Sequence, residues 1–270
     1  MDAPSPDWLK PLQALMPGLV HEFRNPLSGV LAGGQMLLRL LEAKHPAQEY
    51  AEIVLEEARV LERFVARLAQ FGRIRAVDPA SAGEVDLPAL LRHVLTEGHV
   101  DRDEGKIRLE TDFDTRAGGV RGDPSALALA CSEILRNALE AMPEGGTLSI
   151  STRLFTGEAA RSDPGTSGHG RRGEDAGRIA AFSHRPTSQS PHRVSPGWIE
   201  AEFADTGPGM TEEIRRRAFE PFFSTRPRAL GIGLSLAQAI ALAHGARIRL
   251  GPATQRGASV FLALPAMGDR

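Results

Sequence analysis

The first 76 residues carry a helical apolar pattern that one pair of helices cannot bury. In the second half of this segment, apolar residues recur at spacings of three and four, or their sums, at Tyr50, Val54, Leu61, Phe64, Leu68 and Phe71. This spacing indicates an amphipathic helix. A first helix precedes it, with its own stripe at Leu12, Met16, Leu19, Phe23, Val30, Leu37 and Leu41. Lys44-His45-Pro46 separates the two, because proline favours the first turn of a new helix.

Two amphipathic helices joined by a short turn form a hairpin in which each apolar stripe is only partly covered. Pairing two hairpins into a four-helix bundle would close a core. The apolar pattern of residues 7–76 therefore predicts a homodimer. Packing of a single hairpin on the following domain is the alternative that the pattern leaves open.

Charge and cysteine content narrow the class of protein. The 270 residues include 32 basic and 34 acidic side chains, a net charge of −2, so we expect no nucleic-acid partner. Cys131 is the only cysteine, which excludes an intrachain disulfide and argues against a cysteine-based zinc site. No stretch approaches the roughly 20 apolar residues that span a bilayer, and the N-terminus does not resemble a signal peptide. We therefore expect a soluble, cytoplasmic protein with no direct membrane span.

After a linker at residues 77–83, helix and strand patterns are mixed, which predicts an α+β fold with helices on one face of a mixed sheet. Helices are predicted at 87–95, 125–142 and 234–243, and strands at 106–113, 147–154, 198–203, 247–250 and 259–264. Residues from about 156 to 197 separate two strands that a hairpin turn could join. This segment is rich in Gly, Ser, Pro and Arg, so we expect a flexible insertion.

A polar cluster, His21-Glu22-Phe23-Arg24-Asn25, lies on the first predicted helix. At about 100° per residue, His21 lies away from the apolar stripe, so its imidazole should be exposed and able to act as a nucleophile. Glu22 could hold the proton of one ring nitrogen and leave the other lone pair free. A solvated surface histidine is the alternative reading of this cluster alone.

Two further motifs carry oxygen-bearing side chains. Glu133 and Asn137 are four residues apart and share one helix face, where they could bind a hard cation such as Mg²⁺; a solvated polar face is the alternative. Asp205 ends a predicted strand and could accept a hydrogen bond from an exocyclic amine. Gly207 and Gly209 follow it and would let the backbone approach a planar ring closely, although a tight turn alone would use the same residues.

The last motif combines a phenylalanine-rich segment with a glycine pair. The segment Phe-Glu-Pro-Phe-Phe-Ser-Thr-Arg-Pro ends at Pro227, and Gly231 and Gly233 then open a helix. Backbone N–H groups at such a helix start can cradle phosphate. In isolation the glycine pair is a weak signal, and a phenylalanine cluster is more often part of a core.

In this order, the four motifs resemble the core of a sensor histidine kinase, and their residues are most similar to those of the NtrB-like group. They correspond to that family's H box, N box, G1 box, and F and G2 boxes. The resemblance covers roughly residues 7–266 apart from the insertion. It implies a dimerisation and histidine-phosphotransfer domain at 7–76 and a Bergerat-fold ATP-binding domain at 84–266.

The resemblance also implies roles for individual residues. His21 matches the phosphoacceptor, Glu22 the acid that orients it, and Asn25 a residue that positions water for dephosphorylation of a response regulator. Asn137 matches the Mg²⁺ ligand and Asp205 the adenine anchor. The implied contacts with ATP and Mg²⁺ further include Glu133, Arg136, Gly207, Gly209, Thr225, Arg226, Gly231 and Gly233. The implied partners are a second copy of the chain and the receiver domain of a response regulator.

Three departures from the family pattern leave alternatives open. Glu133 stands where these kinases usually carry Asn, so it could act as a general base or hold a metal-bound water. Ala229 replaces the first expected glycine of the G2 box. Only 20 residues precede His21, so we expect the signal to arrive through a separate sensor protein or the chain to be a core without its sensor. A clamp-type ATPase and a degenerate kinase acting as a scaffold or phosphatase are the competing functions.

Overall fold

The computed structural model describes residues 6–41, 45–77, 82–98, 106–114, 116, 119–155, 197–226, 229–252 and 256–267. The predicted insertion lies outside these ranges except for Gly197, and so does most of the predicted linker. Two long helices come first, α1 at Leu9–Leu40 and α2 at Ala47–Arg73, as the apolar stripes predict. A mixed α/β unit follows them.

Small residues let α1 and α2 pack closely against each other. A Cβ at Gly34 would lie 2.7 Å from Leu55 Cδ2, and a Cβ at Gly72 would lie 3.2 Å from Pro17 Cγ. Trp8 packs edge-on against Phe71 near one end, with 6.1 Å between ring centroids. The buried core of the hairpin consists of Leu9, Met16, Val20, Leu27, Gly34, Ala51, Leu55, Ala58, Val65, Leu68 and Phe71.

The predicted apolar stripes are divided between this core and the outer surface of the hairpin. Leu68 and Phe71 are buried within the hairpin, so these two members of the second stripe belong to the part that the hairpin itself covers. Both stripes are wider than one helix contact and therefore face two directions. The exposed members, which we call the outer seam, are Leu19, Phe23, Val30 and Leu37 on α1 and Tyr50, Val54 and Leu61 on α2.

The main sheet has five strands in the order β2-β4-β5-β7-β6. Their bounds are Ile107–Phe113 (β2), Gly146–Phe155 (β4), Trp198–Asp205 (β5), Arg247–Leu250 (β6) and Ala258–Pro265 (β7). β2 and β4 are parallel, and the other neighbouring pairs are antiparallel. A second, two-stranded sheet pairs β1 (Gly83–Asp86) with β3 (Gly119–Gly122). This mixed architecture confirms the predicted fold class.

Helices cover one face of the main sheet and fix the positions of the polar motifs. They are α3 (Leu87–Glu97), α4 (Pro124–Glu140) and α6 (Gly233–Ala243), with a short α5 at Glu212–Arg217. Asp123 explains where α4 begins, because its Oδ1 accepts hydrogen bonds from the N–H groups of Ser125 (2.8 Å) and Ala126 (3.2 Å). α4 packs on α6 and contacts β5. Glu133 and Asn137 are thereby held beside the strand that ends at Asp205.

Two observations bear on the expectations from composition. Cys131 is fully buried in α4, and this burial raises the pKa of its thiol to about 12. Such a thiol stays protonated and unreactive near neutral pH. Within the ranges that the structure describes, no helix combines the length and the apolar character needed to cross a membrane.

Candidate active site

A cleft of about 1080 Å³ opens between α2, α4, the loop after β5 and the start of α6. Nine of the ten residues predicted to contact a cofactor line it, namely Glu133, Arg136, Asn137, Asp205, Gly209, Thr225, Arg226, Gly231 and Gly233. The tenth, Gly207, is absent from the lining but donates its N–H to Asp205 Oδ1 at 2.8 Å. Motifs that are far apart in the chain therefore meet at one place.

Asp205 is held at the cleft by the backbone around it. Its Oδ1 accepts hydrogen bonds from Gly207 N–H (2.8 Å) and Ala258 N–H (3.3 Å). Partial burial raises the pKa of the Asp205 carboxyl, while these two hydrogen bonds and the charge of Arg226 act in the opposite direction. Gly209 has a φ of +76°, a conformation that favours glycine. The second Asp205 oxygen is thus available to accept a hydrogen bond from a ligand.

Asn137 lies one helical turn from Glu133 and contacts the loop before α6. Arg226 Nη2 donates to Asn137 Oδ1 at 3.2 Å and to its backbone carbonyl at 3.1 Å. Arg226 Nη1 also pairs with Glu140 Oε2 at 2.8 Å. The arginine predicted to lie near phosphates is therefore beside the amide predicted to bind Mg²⁺.

Glu133 is buried at the base of the cleft, with only 2% of its surface exposed. Its Oε2 accepts a hydrogen bond from Nη2 of Arg67, on α2, and forms an ion pair with Nη2 of Arg136, on its own helix. Arg136 Nε also lies 3.5 Å from Glu140 Oε1. One carboxylate oxygen thus bridges two guanidinium groups, one from each side of the cleft.

The loop before α6 has two residues in the left-handed region of backbone conformation. Gly231 has a φ of +64°, and a Cβ there would overlap the carbonyl of Phe223. Phe222 has a φ of +67° although it carries a side chain, which is 53% exposed. Thr225, Ala229 and Gly233 also line the cleft. Because α6 begins at Gly233, its first N–H groups border the cleft and can bind an anion.

His21, Glu22 and Asn25 lie on the exposed surface of α1, as predicted for His21. None of these three lines the cleft; the hairpin residues that do so are Glu57, Val60, Arg63 and Arg67 of α2. Sequence reasoning missed these α2 residues and also Glu140, because no motif marks them. The only signal is the four-residue spacing of Arg63 and Arg67, which places both on one helix face.

Metal binding by the protein alone has little support in the described ranges, which contain no group of three or more His, Cys, Asp or Glu side chains suited to hold an ion. Oxygen-bearing side chains of α4 that line the cleft are the amide of Asn137 and the carboxylates of Glu133 and Glu140, and each of the three contacts an arginine in this structure. Such hard oxygen ligands, few in number, suit Mg²⁺ that is also bound by phosphate.

Family models match two segments of the chain. Residues 122–267, more than half of the chain, match the family described as histidine kinase-, DNA gyrase B- and HSP90-like ATPase. Residues 12–77 match the His Kinase A (phospho-acceptor) domain. The first segment contains α4, α6 and the loops of the cleft, and the second contains His21 and the helical hairpin.

Curated relatives with similar sequences are histidine kinases. The chain is 26% identical over 257 residues to the signal transduction histidine-protein kinase AtoS of Escherichia coli, covering 95% of this chain and 35% of that protein. It is 27% identical over 238 residues to the sensory histidine kinase/phosphatase NtrB of Salmonella typhimurium, covering 87% and 57%. The chain therefore spans only about a third to just over half of the length of these relatives.

Solved structures share the fold. Full-length ShkA in complex with AMPPNP matches with a TM-score of 0.66 at 23% identity, over 95% of this chain and 47% of that chain. The histidine kinase ThkA in complex with the response regulator TrrA matches with a TM-score of 0.59 at 20% identity, over 97% and 64%. Both likenesses extend over the hairpin and the α/β unit.

Proposed function

Since the chain belongs to the family of histidine kinase-, DNA gyrase B- and HSP90-like ATPases and carries the core of a sensor histidine kinase, we propose that it is an ATP-dependent protein-histidine kinase. It transfers the γ-phosphoryl group of ATP to His21 and then to an aspartate on the receiver domain of a response regulator. The observation that supports this most is the meeting of Asp205, Asn137 and the glycine loop in one cleft, in a chain that exposes His21 on its phospho-acceptor domain.

The cleft provides a separate group for each part of ATP. Asp205 accepts a hydrogen bond from the exocyclic amine of adenine, and the backbone at Gly207 and Gly209 approaches the flat ring. The phosphates lie toward the residues that surround the start of α6, namely Arg136, Thr225, Arg226, Gly231 and Gly233. Asn137, with Glu133 as a further candidate, would hold Mg²⁺ once Arg226 releases the Asn137 amide oxygen, and the ion would neutralise charge on the triphosphate.

At His21, one ring nitrogen attacks the γ-phosphorus while the bond from phosphorus to the β,γ-bridging oxygen breaks and ADP leaves. Glu22 accepts a hydrogen bond from the N–H of the other ring nitrogen and stabilises the positive charge that develops on the ring. Most of the rate acceleration comes from positioning and from charge stabilisation. Because α2 residues line the cleft but His21 does not, the ATP-binding unit must move relative to the hairpin to reach His21 of its own chain or of a second copy.

The proposed function assigns a role to each region and names its partners. Residues 7–76 are the dimerisation and histidine-phosphotransfer domain, residues 77–83 a linker, and residues 84–266 the ATP-binding domain. The partners are a second copy of the chain, a response-regulator receiver domain and a separate sensor protein. The use of ATP and of a reduced thiol at Cys131 fits a cytoplasmic location.

Incubation with γ-labelled ATP and Mg²⁺ distinguishes this function from its competitors. A histidine kinase retains label that is lost in acid and kept in alkali, and the label disappears in His21→Gln. A clamp-type ATPase releases phosphate without labelling itself, and a degenerate scaffold does neither. Asn137→Ala serves as the variant that keeps His21 but should fail to be labelled.

Phosphatase activity toward the regulator is a second candidate, favoured by the position of Asn25. This exposed amide lies four residues after His21 on the same helix, so it shares a face with the phosphoacceptor and can orient an attacking water. Asn25→Ala should keep autophosphorylation and lose most dephosphorylation of a phosphorylated receiver domain. Equal loss of both activities would indicate a structural role for Asn25 instead.

A further inference from the structure

Arg67 connects the helical hairpin to the base of the cleft. Its Nη2 contacts Oε2 of Glu133, which is 66 residues away in the chain and almost completely buried. Arg136 shares the same oxygen. A buried carboxylate is screened far less by water than a surface ion pair, so its partners are held in a defined geometry. This contact therefore constrains how α2 and α4 lie relative to each other.

The same cluster packs against the start of α6. A Cβ at Gly233 would lie 2.9 Å from Glu133 Oε2, 3.6 Å from Arg136 Nη2 and 3.8 Å from Arg67 Nη2. The guanidinium of Arg67 thus reaches the wall where the proposed phosphate-binding loop enters its helix. Arg67 of the hairpin therefore contacts the part of the cleft where the triphosphate is proposed to bind.

Arg67 also lies at the height of His21 along the hairpin. Gly72 of α2 contacts Pro17 of α1. Because the two helices run in opposite directions, four residues forward from Pro17 and four residues back from Gly72 bring His21 level with Leu68. Arg67 is the neighbour of Leu68, so its Cα lies within about one residue rise, roughly 1.5 Å, of the level of His21 along the hairpin.

We propose that Arg67 is a positioning residue that holds the ATP-binding unit, through Glu133, at the height of the phosphoacceptor on the hairpin. This inference rests on the proposed kinase function and goes beyond it, because it gives Glu133 a part as the anchor of an arginine from α2. The Arg67–Glu133 contact sets the position of the γ-phosphoryl group along the axis of the hairpin. Movement of the ATP-binding unit across that axis then brings the group to His21.

The first test measures ATP affinity and labelling of His21 in Arg67→Ala, Arg67→Lys and wild type. Arg67→Ala should label His21 at least tenfold more slowly at saturating ATP, with the ATP dissociation constant within twofold of wild type. Arg67→Lys should recover part of the rate. Arg59→Ala is the matched control, because Arg59 is an exposed arginine on the same helix that pairs with Glu56 and lies outside the cleft lining.

Two outcomes of this test overturn the proposal. A loss of ATP affinity that matches the loss of rate would make Arg67 a nucleotide ligand. Labelling at the wild-type rate or faster would make the contact incidental or inhibitory. If wild type itself gains no acid-labile label, the proposed kinase function fails, and the next measurement still tests the contact.

The second test measures the distance between spin labels at Glu52→Cys on α2 and Glu144→Cys after α4. Both positions are exposed, and the native Cys131 is buried and does not react. The distance distribution should be narrow with Arg67 present and broad in Arg67→Ala, but unchanged in Arg59→Ala. An identical distribution with and without Arg67 overturns the proposal whether or not the chain is a kinase.

Discussion

Asp205 combines partial burial with hydrogen bonds that favour its charged form. Burial raises the pKa of its carboxyl, and the N–H groups of Gly207 and Ala258 together with the charge of Arg226 limit that rise. Protonation therefore begins at a higher pH than for an ordinary aspartate. The proton removes an acceptor that an exocyclic amine would use, so nucleotide affinity should depend on this single titration.

Asp205→Asn tests this role with a shape-matched change. The amide oxygen can still accept from Gly207 and Ala258, whereas the charge-assisted hydrogen bond to adenine is lost, so calorimetry should show ATP affinity at least tenfold lower. Since the pKa is raised in the folded state, the stabilising effect of Asp205 is present at low pH and is lost as pH rises through that pKa. At pH 7 the variant should therefore unfold at the same temperature as wild type or higher.

The pH dependence provides the control for this prediction. Wild-type affinity should fall on acidification, starting above the usual titration range of an aspartate, and Asp205→Asn should lack that step. Weaker ATP binding accompanied by a lower unfolding temperature at pH 7 would instead mean that the substitution damaged the fold.

Glu133 marks what sequence reasoning could and could not predict at this scale. Its spacing from Asn137 correctly placed both residues on one face of a helix that lines the cleft. Its contact with Arg67 was not predictable, because the two residues belong to elements whose relative placement depends on tertiary packing. The sequence showed that Glu133 replaces the usual Asn of the family motif, but it did not show that Arg67 contacts Glu133.

At the scale of elements, the loop before α6 depends on a glycine that no other residue can replace without strain. Gly231→Ala would place a Cβ 2.6 Å from the carbonyl carbon of Phe222 and closer still to Phe223, in a backbone conformation that itself costs about 1–2 kcal/mol. The loop must therefore shift, and fluorescence titration with a labelled ATP analogue should show at least tenfold weaker binding.

Gly245→Ala is the matched control for this loop. Gly245 has nearly the same φ, +62°, but a Cβ there has no neighbour within 4 Å. It should lower the unfolding temperature slightly and leave nucleotide affinity within twofold of wild type. If both variants weakened ATP binding equally, general destabilisation rather than loop geometry would be the cause.

Elements with a clear apolar pattern were predictable from the sequence, including the four-residue β6, whereas β1, β3 and α5 were not. The strong apolar periods gave α1, α2, α4 and α6 and the five strands of the main sheet to within a few residues. The pair of β1 and β3 was missed because each strand contains a single apolar residue, a valine, and pairs with a distant segment. α5 was missed because its six residues are mostly charged. The sequence also did not predict which residues of the apolar stripes are buried and which are exposed, because burial of Leu68 and Phe71 depends on how α1 and α2 face each other.

At the scale of the whole molecule, the outer seam is an apolar surface that the hairpin leaves uncovered. Tyr50 is 71% exposed and Leu61 53% exposed, although the pattern of both helices is that of a packed surface. Burying a leucine contributes about 1.5–3 kcal/mol. We therefore expect two copies of the chain to pair through the outer seam into a four-helix bundle.

Leu61→Glu tests this assembly in the full chain. Two buried leucines are lost per dimer, so the dimer dissociation constant should rise by about two to four orders of magnitude, as measured by light scattering over a concentration series. Ala66→Glu adds the same charge at an exposed position of α2 outside the seam and should remain dimeric. A monomeric wild type at micromolar concentration would contradict the predicted assembly.

The most direct test of the proposed function is to locate the phosphoryl group after incubation with Mg²⁺ and ATP. Tandem mass spectrometry at neutral pH should find it on His21 in wild type. It should be absent in His21→Gln, and in Asn137→Ala, where His21 remains but nucleotide binding fails. Phosphate release with no phosphorylated peptide, or a phosphoryl group on a residue other than His21, would contradict the assignment of this chain as a histidine kinase.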